Sequence, residues 1–235
     1  MACTRTVGFP LYQGATLLDF AGATQVFGFA EGFEAVWLAA ALEPVLTTEN
    51  VSVMPTATFD DHPDLDLVFV PGGSADGVIW AMNDPGYQAF IKRNAATAEW
   101  VGSVCVGAFI LAAAGVLDGV KATTYWSQLH NLALFPAIDV DTRNYPRYLP
   151  EPVDAHFSGG GVSSSIDLAL AIVQQLAGVE IAHKTQLGIQ YAPNPPLQAG
   201  DPGQAPAAIT AAVRASQQDS FIQPIRQAVL DLLNQ

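Results

Sequence analysis

The sequence predicts an α/β protein with a mostly parallel β-sheet that is covered by helices on both faces. Short apolar runs alternate with longer runs at helical spacing along most of the 235 residues, and this alternation is typical of βαβ units. The run over residues 66–70 is nearly all apolar, as expected of a strand that is buried on both faces. Half of the residues are hydrophobic and 13% are charged, which indicates an ordered chain with a substantial core.

The predicted elements follow a regular order in the first half of the chain. Strands are predicted over residues 6–9, 34–40, 66–70 and 101–104, with short strands around a turn within residues 45–53. Helices are predicted over residues 17–30, 84–98 and 107–114. In the first of these helices, Leu18, Val26 and Phe29 have the spacing of one buried face.

The second half of the chain is predicted to be mainly helical. Weak alternation over residues 137–148 predicts a β excursion. Helices are predicted over residues 165–176 and 180–191 and near residues 207–217 and 219–234, with a Pro- and Gly-rich surface segment at 192–206. Because no repeat or linker divides the chain, we expect one α/β domain over residues 1–195 and a C-terminal extension over residues 196–235 that packs on the same domain.

Charge and composition restrict the function classes. The net charge is −13 and the nine Lys and Arg residues are scattered, which argues against nucleic acid or an anionic membrane as a partner and favours a small-molecule substrate.

We expect a cytoplasmic protein, because neither a secretory signal nor an apolar run of membrane length is evident. Cys3 lies near the chain start, so no structural disulfide is expected. No metal is expected, because the four histidines lack metal-ligand spacing (His62, His130, His156 and His183).

Cys105 has the sequence context of a nucleophile elbow, a sharp turn between a strand and a helix. The predicted strand over residues 101–104 leads directly into Cys105, and the small residues Gly107 and Ala108 open the next helix. A helix N-terminus favours a thiolate over a thiol, so we expect a lowered pKa for this sulfur. An unreactive buried cysteine is the alternative for an isolated Cys, and the strand, turn and helix together favour the nucleophile.

Gly72, Gly73 and Asp19 are the other candidate site residues. Gly72 and Gly73 follow the strand over residues 66–70, at the same sheet edge as Cys105, so their N–H groups and that of Val106 are candidate donors to a substrate. A plain tight turn is the alternative reading of the two glycines. Asp19 is an acid among apolar residues near a helix start, and it is either a helix cap or a general acid/base with a pKa raised by burial.

Two further polar residues are assigned structural roles. His156 precedes a Gly-rich turn and has a plausible route to the sheet edge, but a satisfied structural histidine is the favoured reading. Asp167 lies just inside the helix that follows this turn and is predicted to be a capping carboxylate.

The chain resembles the DJ-1/PfpI superfamily over about residues 5–215, and within it the bacterial isocyanide hydratases. The segments that carry the resemblance are LDFAG at 18–22, VPGG at 70–73, SVCVGA at 103–108, ATTYW at 122–126, GGG at 159–161 followed by Ile166-Asp167, and QYAPNPP at 190–196. The resemblance implies a flavodoxin-like three-layer sandwich, a homodimer and no cofactor. It also implies Cys105 as the nucleophile and Asp19 as the general acid/base in the hydration of an isocyanide R–NC to an N-formamide. In the implied reaction the thiolate attacks the terminal carbon, the nitrogen side is protonated and water resolves the thioimidate.

The sequence departs from relatives of this kind at two places. Val106 stands where the isocyanide hydratases commonly have Thr, so a side-chain hydroxyl beside the sulfur is missing and only the backbone N–H remains. Histidine is present neither after Cys105 nor at Tyr125, which disfavours a Cys-His protease. Two alternative functions stay open: a glyoxalase- or deglycase-like enzyme that acts on reactive carbonyls, and a non-catalytic redox or stress sensor in which Cys105 is oxidised.

Overall fold

The structure, a computed structural model, describes residues 4–149 and 155–234, and Cys3 therefore lies outside the described residues. The strands are β1 (Arg5–Pro10), β2 (Phe33–Ala39), β3 (Val45–Leu46), β4 (Ser52–Val53), β5 (Ala57–Thr58), β6 (Leu67–Val70), β7 (Trp100–Ser103) and β8 (His156–Ser158). The helices are α1 (Leu17–Phe29), α2 (Ala75–Asn83), α3 (Pro85–Ala95), α4 (Gly107–Ala113), α5 (Leu129–Leu132), α6 (Ser164–Ala177), α7 (Val179–Gly188), α8 (Ala207–Gln217) and α9 (Gln223–Leu233). A 3₁₀ turn (Trp126–Gln128) precedes α5, and a π-helical turn (Gln218–Ile222) joins α8 to α9.

Six of these strands form one parallel sheet in the order β5-β2-β1-β6-β7-β8. Helix α1 packs against α6 and α7, whereas α2 packs against α3, α4 and α9. Helices on both sides of the sheet confirm the expected α/β class and the flavodoxin-like sandwich. The short strands β3 and β4 form a separate antiparallel hairpin, as expected for residues 45–53.

Most predicted elements are found close to their expected bounds, but the short elements β5, α5 and β8 were not predicted and further details differ. Helix α2 was not anticipated, although Ser74 is a regular N-cap that accepts a hydrogen bond from Gly77 N (3.2 Å). The β excursion over residues 137–148 is absent, because Asp141 ends the extended backbone in a turn: its Oδ1 accepts from Arg143 N (2.9 Å). Only single bridges involve this stretch, at Asp139 and Tyr148.

The buried face of α1 also differs from the expected one. Leu18 and Phe29 are 41% and 54% exposed, whereas the side chains that face the core are Phe20, Ala23, Val26 and Phe27. The helix is apolar around most of its circumference, so residue spacing alone does not select the face that meets the sheet.

The carboxyl ends of three neighbouring strands position the site. Gly72 follows β6, Cys105 follows β7 and Gly159 follows β8. Helix α9 closes the other face of the molecule, with Ile225 and Val229 fully buried in the common core. No helix among the described residues has the length and apolarity that a bilayer span requires.

Gly107 is predicted to be indispensable for the turn that enters α4. A methyl group on its Cα would lie 2.4 Å from Val70 O and 2.8 Å from Pro71 O, both backbone atoms that cannot move aside. We therefore expect Gly107→Ala to lower the free energy of unfolding in urea by about 1–3 kcal/mol or more. Gly28→Ala is the matched control, because nothing lies within 4 Å of a methyl group there and an exposed helical Gly→Ala change gains about 0.5–1 kcal/mol. Equal effects of the two substitutions would contradict the close approach at Gly107.

Candidate active site

The turn between β7 and α4 holds Cys105 in a strained backbone conformation. Its φ is 55°, in the left-handed region that non-glycine residues seldom adopt. Three hydrogen bonds fix it there: Cys105 N donates to Gly160 O (2.6 Å) and to Gly159 O (3.2 Å), and Thr124 Oγ1 donates to Cys105 O (2.7 Å). Strain that is held by surrounding bonds is typical of functional residues. The predicted nucleophile elbow is thus present in its backbone form.

Asp19 lies in the first turn of α1, but its side chain does not cap that helix. The carboxyl group is fully buried, and its Oδ2 accepts a hydrogen bond from Gly72 N (2.8 Å). The other oxygen, Oδ1, is buried without a hydrogen-bond partner. The cap is supplied instead by Glu49 of the β3–β4 hairpin, whose Oε2 accepts from Leu17 N (3.0 Å). Asp19 therefore has one oxygen committed to Gly72 and one free.

Gly72 is the point at which Asp19 and Cys105 meet. A methyl group on Gly72 would lie 2.8 Å from Cys105 Cβ, 2.8 Å from Val106 N and 2.9 Å from Asp19 Oδ2. Only glycine fits such a crossing, because each of these contacts is shorter than real Cβ contacts allow. The sequence-predicted residues Asp19, Gly72, Cys105 and Val106 are therefore brought together at one place.

Two of the three N–H groups expected to face a substrate, those of Gly72 and Val106, are directed at groups within the protein. Gly72 N–H points at the Asp19 carboxyl, and Val106 N–H is directed at the Cys105 sulfur. Gly73 lies against the loop before α1, where a methyl group would be 2.4 Å from Gly14 O. Gly72 thus positions Asp19, and Gly73 allows the close approach of the loop before α1.

The expected lowering of the Cys105 pKa is wrong for the site as it stands. Burial raises the pKa of the thiol well above its ordinary value, and the nearby Asp19 carboxylate raises it further; the hydrogen bond from Val106 N–H acts in the opposite direction. Burial also raises the pKa of Asp19 to about 8, against the effect of Gly72 N–H and with a contribution from Glu49. Desolvation therefore outweighs the helix N-terminus, and the Asp19 carboxylate further disfavours ionisation of the Cys105 thiol.

A cleft of about 1210 Å³ lies beside the elbow. It is lined by Leu18 and by parts of four segments, at residues 124–126, 145–147, 160–167 and 191–204. Thr124 and Gly160 belong to this lining and both bind the backbone of Cys105. The cleft therefore reaches the backbone neighbours of Cys105, whereas neither Cys105, of which 5% is exposed, nor the fully buried Asp19 belongs to the lining itself.

Asp167 belongs to a polar cluster on the cleft rather than to a helix cap. It forms an ion pair with Arg147 and its Oδ1 accepts from Tyr191 Oη (2.8 Å). Sequence reasoning missed the roles of Arg147, Tyr191 and Tyr125 in the cleft. Tyr191 and Tyr125 do lie in segments that carry the family resemblance, which was the available signal.

Histidine and metal chemistry receive no support from the geometry. His156 begins β8 and pairs with Val101, so it lies at the amino end of the strand, away from the edge where Cys105 lies. Within residues 4–149 and 155–234, no three His, Cys, Asp or Glu side chains are grouped so that they could hold a metal ion.

The raised pKa of Asp19 predicts a specific pH dependence of stability. The unfolded carboxyl loses its proton near pH 4 and the folded one near pH 8, so the contribution of Asp19 to stability falls as pH rises between these values. From pH 5 to pH 8, we expect the unfolding free energy of the wild type to fall by roughly 3–4 kcal/mol relative to Asp19→Asn, whose amide does not ionise. Urea unfolding of both proteins at several pH values measures this difference. A difference that does not change with pH would show that the folded carboxyl ionises normally.

Comparison with known proteins gives a consistent result. The model of the DJ-1/PfpI family matches residues 5–145. An isonitrile hydratase from Pseudomonas putida is 37% identical over 204 residues, which cover 86% of each chain. A ThiJ/PfpI family protein from Pseudomonas syringae has a similar structure, with a TM-score of 0.89, 33% identity and coverage of 97% of this chain and 91% of that one.

Relatives that are transcriptional regulators match this chain over about half of their own length. The transcriptional regulator GbdR of Pseudomonas aeruginosa is 26% identical over 186 residues, which cover 76% of this chain and 48% of the regulator. The fold, the elbow cysteine and these matches together show that the chain belongs to the DJ-1/PfpI family.

Proposed function

We propose that this protein hydrates isocyanides, R–NC, to N-formamides, with Cys105 as the nucleophile and Asp19 as the group that carries the proton. The observation that supports this most is the meeting of the two side chains at Gly72, with one buried carboxyl oxygen left uncommitted. An enzyme of this reaction needs a nucleophile for the terminal carbon and an acid/base beside it. The 37% identity to an isonitrile hydratase supports the same reaction.

The first half of the reaction forms a thioimidate. Because the pKa of Asp19 is about 8, a fraction of the molecules carries the carboxylate at neutral pH. As the Cys105 sulfur forms a bond to the terminal carbon, its proton passes to Asp19 Oδ1, and the same proton then passes to that carbon. The product is R–N=CH–S–Cys105, which contains all atoms of the thiol and the isocyanide. Val106 N–H, directed at the sulfur, stabilises the charge that develops during this transfer.

The second half releases the product. Water adds across the C=N bond, with its oxygen on carbon and one proton on nitrogen, and gives R–NH–CH(OH)–S–Cys105. The C–S bond then breaks, the hydroxyl becomes the formyl oxygen and its proton returns to the sulfur through Asp19. No oxidant or reductant is consumed, and the thiol is regenerated. Gly72 contributes by holding the Asp19 carboxyl in place, so it acts on the substrate through Asp19.

The proposed chemistry is tested with purified protein and an alkyl or aryl isocyanide. We expect N-formamide to accumulate, Cys105→Ala to abolish turnover, and Asp19→Asn to lower kcat about 10²- to 10⁴-fold, because a proton carrier is lost while the shape is kept. Cys3→Ala is the matched control and keeps full activity.

Methylglyoxal, assayed in parallel, separates the carbonyl-directed alternative. Consumption of methylglyoxal without any formamide would overturn the hydratase assignment, as would formamide production that survives Cys105→Ala.

We also propose that the protein forms a homodimer. Each copy comprises the domain over residues 1–195 and the extension over residues 196–235. An apolar groove of about 330 Å³ beside α1 supports this proposal; it is lined by Leu18, Ala21, Gly22, Gln25, Ile166, Ile189 and Tyr191. Leu18 is 41% exposed in this groove and also lines the cleft, so a second copy would bury apolar surface next to the site.

Sedimentation equilibrium tests the dimer. We expect about twice the mass of one chain for the wild type and a lower mass for Ala21→Arg, because burying an unpaired charge in the groove is costly. The wild type sedimenting as a single chain at micromolar concentration would exclude the dimer.

A further inference from the structure

We infer that Tyr125 and Trp126 form an aromatic wall that makes this site selective for isocyanides with a flat aromatic group, and that the C-terminal helices hold this wall in place. The inference rests on the proposed function and deepens it, because it names the class of substrate. Both residues line the cleft, and both are half-buried.

The aromatic wall is attached directly to the elbow. Thr124, the residue before it, donates its hydroxyl hydrogen bond to Cys105 O. The ring of Tyr125 lies against Gly161, where a methyl group would be 3.2 Å from Cδ2 and 3.4 Å from Cε2. The preceding Gly160 accepts the hydrogen bond from Cys105 N. A substrate whose terminal carbon reaches the sulfur therefore passes close to this ring.

Side chains from the C-terminal region hold the aromatic wall from behind. Gln217 Nε2 donates to Tyr125 Oη (3.0 Å), and Phe221 contacts the Tyr125 ring at 5.9 Å with its plane at 72°. The Arg214 guanidinium lies 5.0 Å from the centre of the Trp126 ring. These contacts restrict the two rings without occupying the cleft.

The helices that carry these side chains are themselves anchored. The π-helical turn Gln218–Ile222 directly precedes α9. Pro224, near the start of α9, lacks the N–H group that would donate a hydrogen bond to the preceding turn. Buried amide groups bind the turn instead: Gln128 Nε2 donates to Phe221 O (3.0 Å) and Asn131 Nδ2 donates to Ile222 O (3.0 Å). The C-terminal helices are therefore fixed to the segment that directly follows the aromatic wall.

The chemistry of the cleft selects the substrate class. At about 1210 Å³ the cleft far exceeds the volume of a small alkyl isocyanide and is larger than the roughly 300–1000 Å³ typical of small-molecule pockets, so it has room for a bulky group. Arg147 is paired with Asp167, so this cation is already neutralised. An uncharged aromatic group that packs against the Tyr125 and Trp126 rings is the best match for this lining.

The test compares phenyl isocyanide with ethyl isocyanide as substrates. We expect the wild type to favour phenyl isocyanide at least tenfold in kcat/KM. Tyr125→Ala should lower kcat/KM for phenyl isocyanide at least five times more than for ethyl isocyanide, mainly through KM, because ring packing is lost. Gln217→Ala should also reduce the preference for phenyl isocyanide, but less than Tyr125→Ala does. Gln217→Glu should keep the wild-type preference, since a carboxylate accepts a hydrogen bond from Tyr125 Oη.

Controls separate this inference from the proposed function. Gln227→Ala changes an exposed glutamine of α9 whose Nε2 donates to Asp231 Oδ1. This substitution should leave the ratio of the two kcat/KM values unchanged. Equal losses for both substrates in Tyr125→Ala would overturn the aromatic wall while leaving the hydratase proposal intact. If the wild type turns over neither isocyanide, the hydratase proposal fails, and the aromatic wall is then tested by the binding of N-phenylformamide. An affinity at least tenfold weaker in Tyr125→Ala supports the aromatic wall, and an unchanged affinity overturns it.

Discussion

The buried hydrogen bond from Gly72 N–H to Asp19 Oδ2 is the contact on which the rest of the site depends. It joins the end of β6 to the first turn of α1, and a Cβ on Gly72 would collide with the turn that carries Cys105. A side chain at Gly72 would separate all three elements. The family's Pro-Gly-Gly segment is therefore explained by a steric requirement, in which the absence of a Cβ lets a carboxyl group and a thiol share one small volume.

Burial gives this volume two opposing properties. It raises the pKa of both Asp19 and Cys105, so burial disfavours the ionised form of each group in the resting site. The same desolvation makes a proton easy to pass between the two groups, because neither has a competing partner in water. A site of this kind becomes reactive mainly when a substrate gives the sulfur a carbon to attack. This argues against a free-standing redox sensor, which needs an accessible thiolate.

Local sequence patterns predict those elements whose structure is determined by residues that are close in sequence. The elbow follows from a strand, a cysteine and small residues within about a dozen positions, and both the turn at Cys105 and the helix after it are confirmed. The partner of Asp19 is 53 residues away, and the contact between Gln217 and Tyr125 spans 92 residues. Such contacts depend on how helices pack across the sheet, which spacing does not encode. The failed β excursion at residues 137–148 shows the same limit, since the Asp141 turn overrides a weak alternation.

The proposed selectivity depends on a different part of the chain from the elbow. The proposed catalytic pair, Asp19 and Cys105, is held by β6, α1 and the β7–α4 turn, all within the first 113 residues. The surface that a substrate meets is built largely from residues 124–126 and 191–204, held by α8 and α9. In this proposal, chemistry and selectivity lie in different segments of the chain, which Thr124 and Gly160 connect through their hydrogen bonds to the backbone of Cys105. Substitutions behind Tyr125 are able to change the accepted substrate without disturbing the buried acid and thiol, because no contact between Asp19 and the C-terminal helices is needed to hold either in place.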